Sequence, residues 1–183
     1  MSRNRGFSLA ELLIAVGILA ILATVAMPAF STLMQPYRLN TATLQLAGDL
    51  RYAQSLAVSN GACYRLHWGN NRTPPQSNTY RIEKNAGAWP TEADTTGSNA
   101  NVITNWSETD LGVSYPGVNL STVKDNNNTT LVGVAFNARG STVDLASCST
   151  ATAPSSPISL SITSTGVTTK TIQVRRTGSV KIL

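Results

Sequence analysis

Residues 5–30 read RGFSLAELLIAVGILAILATVAMPAF, an apolar run led in by basic residues. From Phe7 onward the run exceeds the about 20 residues that an α-helix needs to cross a bilayer. The basic residues before it would stay in the cytoplasm by the positive-inside rule. A cleaved secretory signal fits less well, because its apolar core spans about 7 to 15 residues and ends at an A-x-A-like site. The run therefore predicts a membrane helix at residues 7–30.

Glu11 is an acidic residue close to the start of this predicted helix. An ionised carboxylate in a membrane segment costs at least about 2.5 kcal/mol, so Glu11 needs a partner. Cleavage between Gly6 and Phe7 would supply one, because the new α-amino group of Phe7 is a cation four residues before Glu11. The amino terminus of a neighbouring subunit could pair with Glu11 equally well.

The residues R-G-F-S-L-A-E-L-L resemble the class III signal of type IV prepilins and type II secretion pseudopilins. In that family a basic leader ends in Gly, Phe follows, and Glu is the fifth residue of the mature chain. The resemblance implies cleavage by prepilin peptidase after Gly6, N-methylation of Phe7, and docking of the incoming subunit through Glu11. It also implies a helix kink at Pro28, since proline removes one backbone hydrogen bond.

After Pro28 the chain is predicted to continue as an amphipathic helix over residues 31–60. Apolar and small residues recur there at helical spacing, namely Leu39, Thr43, Leu46, Leu50, Ala53 and Ala57. We expect this stripe to pack under a β-sheet. Asn60-Gly61 predicts the end of the helix, and Pro36 predicts a second break or bend near the membrane surface.

Residues 61–183 form the predicted head, in which short strands alternate with turn residues, as is typical of an antiparallel sheet. We expect strands at 63–68, 79–83, 112–115, 118–123, 131–137, 158–163, 169–176 and 179–183. Polar loops are expected at 70–78, 86–101, 124–130 and 147–157.

Two further phrases, LQLAGDLRYAQSLAVSNG and KTIQVRRTGSVKIL, look like the subfamily of GspH pseudopilins and FimT and FimU minor pilins. The resemblance implies an α+β type IV pilin fold, a long amino-terminal helix packed on an antiparallel β-sheet head. The expected organisation is a cleaved leader at 1–6, a membrane helix at 7–30, an amphipathic helix at 31–60 and the head at 61–183.

Cys63 and Cys148 have no second Cys or His close to either of them, so they do not form a metal-ligand pattern. In an exported head they can form a disulfide, worth about 4 to 5 kcal/mol in the chain-entropy model. The alternative is two separate buried thiols. The sequence leaves both alternatives open.

A catalytic role is not indicated by the sequence. His67 is the one histidine, so a Ser-His-Asp or Cys-His site would have to be built around it. The sequence has no Walker loop, dinucleotide fingerprint or metal cluster. We therefore expect a protein that is not an enzyme and holds neither metal nor cofactor, with His67 structural or exposed.

The charge balance is mildly basic. A formal charge of +5 falls to +3, 12 basic against 9 acidic residues, once Arg3 and Arg5 leave with the leader. This is weaker than the basic stripe of a dedicated nucleic-acid domain. Basic residues nevertheless gather near the carboxy terminus, namely Arg139, Lys170, Arg175, Arg176 and Lys181.

Some FimT-like pilins are DNA receptors for natural transformation, and their G-R-x-R motif corresponds to Gly178-Ser179-Val180-Lys181 here. Ser179 and Lys181 stand in place of the two arginines, so one charge and the bidentate guanidinium forks are lost. Strand alternation predicts that Arg175 faces away from Val174 and Arg176. Lys181 is predicted to face away from its two neighbours.

The leading hypothesis is a minor pilin that primes assembly of a type IV pilus or lies at or near its tip. The alternatives are a GspH-like pseudopilin of type II secretion, a DNA-binding FimT-like pilin, and a periplasmic binding protein or enzyme on a signal anchor. The expected partners are other pilins, prepilin peptidase and an inner-membrane assembly platform. The expected location is the bacterial inner membrane with the head in the periplasm, and then the filament.

Overall fold

The computed structural model describes residues 8–69, 78–91, 99–104 and 109–183, and the backbone alone at 25–29 and 31–32. Helix α1, Leu9–Ser59, runs without interruption past Pro28 and Pro36. The break predicted at Pro36 is therefore wrong, while the alternative of a bend there stays a prediction. A proline removes a single backbone hydrogen bond, and the buried turns that follow, beginning at Leu39, outweigh that loss.

Within the described residues, eight strands form two antiparallel sheets of four strands each. The first sheet has the order β2-β1-β4-β5, and its strands are β1 Cys63–Trp68, β2 Tyr80–Asn85, β4 Gly133–Phe136 and β5 Thr142–Val143. The second has the order β3-β6-β7-β8, with β3 Val118–Lys124, β6 Ile158–Ser164, β7 Val167–Val174 and β8 Val180–Ile182.

The core lies where both sheets pack against the second half of α1. The predicted stripe is buried throughout: Leu39, Leu46, Leu50, Ala53 and Ala57 are 0% exposed and Thr43 is 2% exposed. Strand side chains with alternating burial complete this core, as the pattern BiBiBiB of β6 illustrates. The prediction of an amphipathic helix under a β-sheet is confirmed, and the fold is α+β.

Helix α1 ends as the sequence predicts. Asn60 is its C-cap, and its backbone N–H donates to the Leu56 carbonyl. Gly61 follows with φ of +60°, the left-handed conformation that L side chains rarely adopt. The chain then enters β1 after a single further residue, so the helix and the first sheet are held close together.

The segment predicted as a strand at 112–115 is instead a one-turn helix, α2, Leu111–Ser114. Asp110 determines this, because its side chain accepts hydrogen bonds from the backbone N–H groups of Gly112 and Val113 at 2.8 and 3.1 Å. Such N-capping favours a helical turn. The short strand β5 was not predicted.

Candidate functional site

The amino-terminal junction predicted for cleavage, Gly6-Phe7, lies outside the described residues. Immediately after it, Ser8 caps α1, and its Oγ accepts a hydrogen bond from the Glu11 backbone N–H at 3.2 Å. The Ser8 backbone N–H donates to Glu11 Oε2 at 3.4 Å, which completes a capping box. Glu11 therefore has a local partner besides the predicted amino group, and the S-x-x-E pattern in the sequence is the signal for it.

The first half of α1 presents apolar side chains to its surroundings. Between Leu9 and Leu22 the large aliphatic residues are 54 to 77% exposed, and Phe30 and Leu33 continue this surface. No helix in the described part of the chain combines the length and the hydropathy needed to cross a membrane. Pro28 lies inside the helix, within the stretch for which only the backbone is described.

The basic residues of the carboxy-terminal part do not form one group. Strand β7 ends at Val174, so Arg175 and Arg176 lie in the turn before β8, and both are exposed. The prediction that strand alternation separates them is therefore wrong. Lys170 lies about 16 Å from Arg175 along the strand, at about 3.3 Å per residue. Lys181 is exposed between two half-buried neighbours, as predicted.

The turn at 175–178 packs against the turn that carries Arg139. The Thr142 backbone N–H donates to the Arg176 carbonyl at 3.0 Å. Gln54 Nε2 of α1 donates to the Gly140 carbonyl at 2.8 Å and lies beside Gly178. Three exposed arginines, Arg139, Arg175 and Arg176, therefore belong to two adjoining turns, while Lys170 stands apart.

On the outer face of the first sheet, Glu83 accepts from three cationic or titratable side chains. Arg65 Nε lies 2.5 Å from Glu83 Oε2. His67 Nδ1 lies 3.3 Å from Glu83 Oε1, and Arg81 Nε binds the same oxygen. Burial raises the pKa of Glu83, but the hydrogen bond from His67 and the charges of the two arginines outweigh it and lower that pKa. His67 is thus a buried structural residue, 7% exposed.

A loop predicted to be an exposed excursion covers this cluster. Trp89 stacks on the Arg65 guanidinium, whose carbon lies 4.3 Å from the ring centroid, and its Nε1 donates to the Leu145 carbonyl at 2.6 Å. Cys63 and Cys148 form a disulfide with a Cα–Cα distance of 6.2 Å. Trp89 and Pro90 of the excursion are therefore packed against the head, whereas residues 86–88, 91 and 100 are exposed, and residues 92–98 lie outside the described residues.

A second polar network joins α1 to the first sheet. The Tyr80 hydroxyl donates to Asp49 Oδ2 at 2.5 Å, and the Tyr115 hydroxyl donates to Gln45 Oε1 at 2.7 Å. Burial raises the pKa of Asp49, and the hydrogen bond from Tyr80 opposes that rise. Among the side chains that the structure describes, no group of three or more His, Cys, Asp or Glu could hold a metal ion.

Comparison with known proteins agrees with the amino-terminal motif and with the fold. Residues 1–27 match the family model for the prokaryotic N-terminal methylation motif. Comparison with curated proteins gives no match. The type IV minor pilin FimU of Pseudomonas aeruginosa is similar in structure, with a TM-score of 0.50, 13% identity, and coverage of 82% of this chain and 91% of that chain. A second crystal form of FimU gives a TM-score of 0.46 with 13% identity, covering 79% and 91%. The chain therefore carries a prokaryotic N-terminal methylation motif at residues 1–27, and its fold is that of the type IV minor pilin FimU.

Proposed function

We propose that the protein is a minor pilin, a structural subunit rather than an enzyme, which primes assembly of a type IV pilus or lies at or near its tip. The observation that carries the proposal is the methylation motif at residues 1–27 followed by a helix whose first half exposes its apolar side chains. Such a surface is unstable in water and needs lipid or the helices of other subunits to cover it.

In this proposal the leader at residues 1–6 is removed by prepilin peptidase and Phe7 is methylated. The segment at 7–30 holds the protein in the bacterial inner membrane, with the head in the periplasm, until an assembly platform transfers it to the filament. There its helix packs among those of other major and minor pilins. Pro28 provides the bend expected of a pilin helix.

Mass spectrometry of the mature amino terminus tests the processing step. A chain that begins with methylated Phe7 is the expected result. A Gly6→Leu variant should keep its leader, while Gly17→Ala, where the structure leaves open space for the added methyl group, should be processed normally. An intact Met1 would instead support a signal-anchored periplasmic protein, and a cut near Ala26 would support a cleaved secretory signal; either result would overturn the proposal.

The capping box makes a sharp test of docking through Glu11 possible. Glutamine at the third helical position also completes a capping box, so Glu11→Gln keeps the helix start and removes only the charge. We expect Glu11→Gln to be processed normally but to be missing from sheared filaments, like Glu11→Ala. Normal incorporation of Glu11→Gln would show that the residue caps the helix and does not dock by charge.

A GspH-like pseudopilin of type II secretion is the nearest alternative, because it would share the motif and the fold. Deleting the gene and measuring both piliation and protein secretion separates the two roles. Loss of filaments with normal secretion supports the pilus assignment. Loss of secretion with normal piliation supports the pseudopilin.

DNA binding is a second candidate function, favoured by the adjoining turns that carry Arg139, Arg175 and Arg176. A gel-shift series over increasing salt measures it, since phosphate contacts weaken steeply as salt rises. A triple alanine variant of these arginines should lose binding. Lys170→Ala is the matched control, because Lys170 lies within β7, about 16 Å before Arg175 along the chain at about 3.3 Å per residue. Binding that survives in the triple variant, or no salt-sensitive binding at all, removes this candidate.

A further inference from the structure

Strand β8 lies at the edge of the second sheet, next to β7. The Leu183 backbone N–H donates to the Thr171 carbonyl at 2.8 Å, so the odd-numbered residues of this strand pair exchange hydrogen bonds with β7. In an antiparallel pair, the residues between them direct their N–H and C=O groups to the opposite side. The backbone groups of Val180 and Ile182 therefore point away from β7 and form the outer edge of β8.

A side chain of helix α1 occupies part of this outer edge. Arg51 Nη2 donates to the Val180 carbonyl at 3.2 Å, which shows that a hydrogen-bond partner can reach the edge. Within the described residues, the N–H of Val180 and both the N–H and C=O of Ile182 have no partner. Backbone groups in such a row are a template for another strand, because each of them would gain a hydrogen bond.

Two exposed leucines lie toward the carboxy-terminal end of the same edge. Helix α1 and β8 run in opposite directions, since Arg51 contacts Val180 whereas Gln54 lies beside the preceding turn. Leu44 lies on the same helix face as Arg51, about 10 Å before it at about 1.5 Å per residue. Leu183 lies about 10 Å beyond Val180 at about 3.3 Å per residue. Leu44 is 61% exposed and Leu183 is 53% exposed, so both can contact the apolar side chains of an added strand.

The outer edge of β8 is positively charged. Lys181 is exposed between the half-buried Val180 and Ile182, and Arg51 adds a second cation beside the strand. A second copy of β8, paired antiparallel through the same backbone groups, would place its Lys181 opposite this Lys181. Like charges directly opposite each other destabilise a strand pair, whereas opposite charges stabilise it. The edge is therefore complementary to an acidic strand and not to another copy of itself.

We propose that the outer edge of β8 binds an extended acidic segment of another protein chain by β-strand addition. The backbone of that segment pairs with Val180 and Ile182, and its acidic side chain lies opposite Lys181. Because side chains alternate along a strand, the residues on either side of the acidic one face the helix, where apolar side chains contact Leu44. The segment therefore has the pattern apolar, acidic, apolar.

The test uses the full-length protein in detergent micelles, labelled with ¹⁵N, and the blocked peptide Val-Glu-Val-Glu-Val as the probe. The amide resonances of Val180 and Ile182 should shift downfield and saturably, and their hydrogen exchange should slow. N-methylation of the peptide valines, whose N–H groups face the edge, should weaken binding about tenfold. N-methylation of its glutamates is the matched control and should have little effect. A linear shift, or equal binding of the two methylated peptides, overturns the proposal.

A charge exchange provides the second measurement. Lys181→Glu should prefer the peptide with lysine in place of glutamate, whereas Lys170→Glu, the same charge change within β7, should keep the preference for glutamate. The dispersion of the amide spectrum reports whether each variant is folded, and the comparison of the methylated peptides on the unmodified protein decides if one is not. An unchanged preference in Lys181→Glu overturns the proposal. Shifts of Val180 and Ile182 that grow with protein concentration without peptide show that a second copy occupies the edge, and they overturn it too.

Discussion

Gly178 packs against Gly140 so closely that a Cβ atom on Gly178 would overlap the Gly140 carbonyl oxygen and the Gln54 side chain. Gly178 also has φ of +82°. The contact locks the turn at 175–178 to the turn at 137–140 and both to helix α1. The position of the exposed arginines in this part of the head therefore depends on a residue that carries no side chain.

Gly178→Ala should destabilise the head by about 3 kcal/mol, because the added methyl group meets backbone and the positive φ is strained. The measurement is urea unfolding of the protein in detergent, followed by circular dichroism. Gly61→Ala is the matched control: its φ is +60° with open space around the Cβ position, so strain alone should cost about 1 kcal/mol. Equal losses in the two variants would show that the close contact is unimportant.

Leu50→Ala should lower the free energy of unfolding by about 3 kcal/mol, because Leu50 is 0% exposed between α1 and the sheets. Leu44→Ala on the same helix should change it by less than about 0.5 kcal/mol, since Leu44 is 61% exposed. Denaturant midpoints of the two variants provide the comparison. A large loss in Leu44→Ala would mean that this residue has a partner in the assembled protein.

Reducing the Cys63–Cys148 disulfide should lower the free energy of unfolding by about 4 to 5 kcal/mol, because the bond closes a loop with a sequence separation of 85. Urea midpoints with and without a reductant measure this change. A Cys63→Ala, Cys148→Ala double variant should match the reduced protein and should not respond to reductant. An unchanged midpoint on reduction would contradict the prediction.

The buried carboxylate of Glu83 should make the protein sensitive to acid. Its pKa is lower in the folded protein than its ordinary 4.5, so its stabilising contribution is complete above about pH 4.5. That contribution is lost as the pH falls through the folded value. The Glu83→Gln variant should lose less stability than the unmodified protein as the pH falls below about 4.5. At neutral pH its free energy of unfolding should be lower by about 3 to 5 kcal/mol, because the buried cations lose their carboxylate partner.

Thermal unfolding between pH 2 and pH 7 measures this loss of stability in acid. Asp110→Asn is the control, since asparagine caps a helix as well as aspartate does. If the stability of Glu83→Gln fell with decreasing pH as steeply as that of the unmodified protein, other carboxylates would be the cause of the acid sensitivity.

The carboxyl group of Asp49 should make stability depend on pH in the direction opposite to that of Glu83. Its pKa is raised in the folded protein, so its contribution is present below its ordinary pKa of 3.8 and is lost as the pH rises through the folded value. Asp49→Asn keeps an oxygen that can accept from the Tyr80 hydroxyl and removes the buried charge. We expect equal or up to about 1 kcal/mol greater stability at pH 7, whereas Asp49→Leu should be destabilised because Tyr80 loses its acceptor.

The sequence by itself determined the features that depend on local periodicity. The apolar stripe of α1, its end at Asn60-Gly61 and most of the head strands follow from spacings of 3.6 and 2 residues and from turn chemistry. The capping box at Ser8 and Glu11 and the one-turn helix capped by Asp110 are equally local. Both capping patterns were present in the sequence. The cost of an acidic residue in a membrane and the strand-like pattern of residues 112–115 favoured other assignments.

Only the tertiary structure decided which distant segments meet. It divided the head into two sheets, placed Arg175 and Arg176 in a turn beside Arg139, and gathered three side chains around Glu83. The physical reason is that hydrophobic periodicity shows which face of a strand is buried but does not name its neighbour. Strand pairing and loop contacts join residues far apart in the chain, and they are selected by the packing of the whole core.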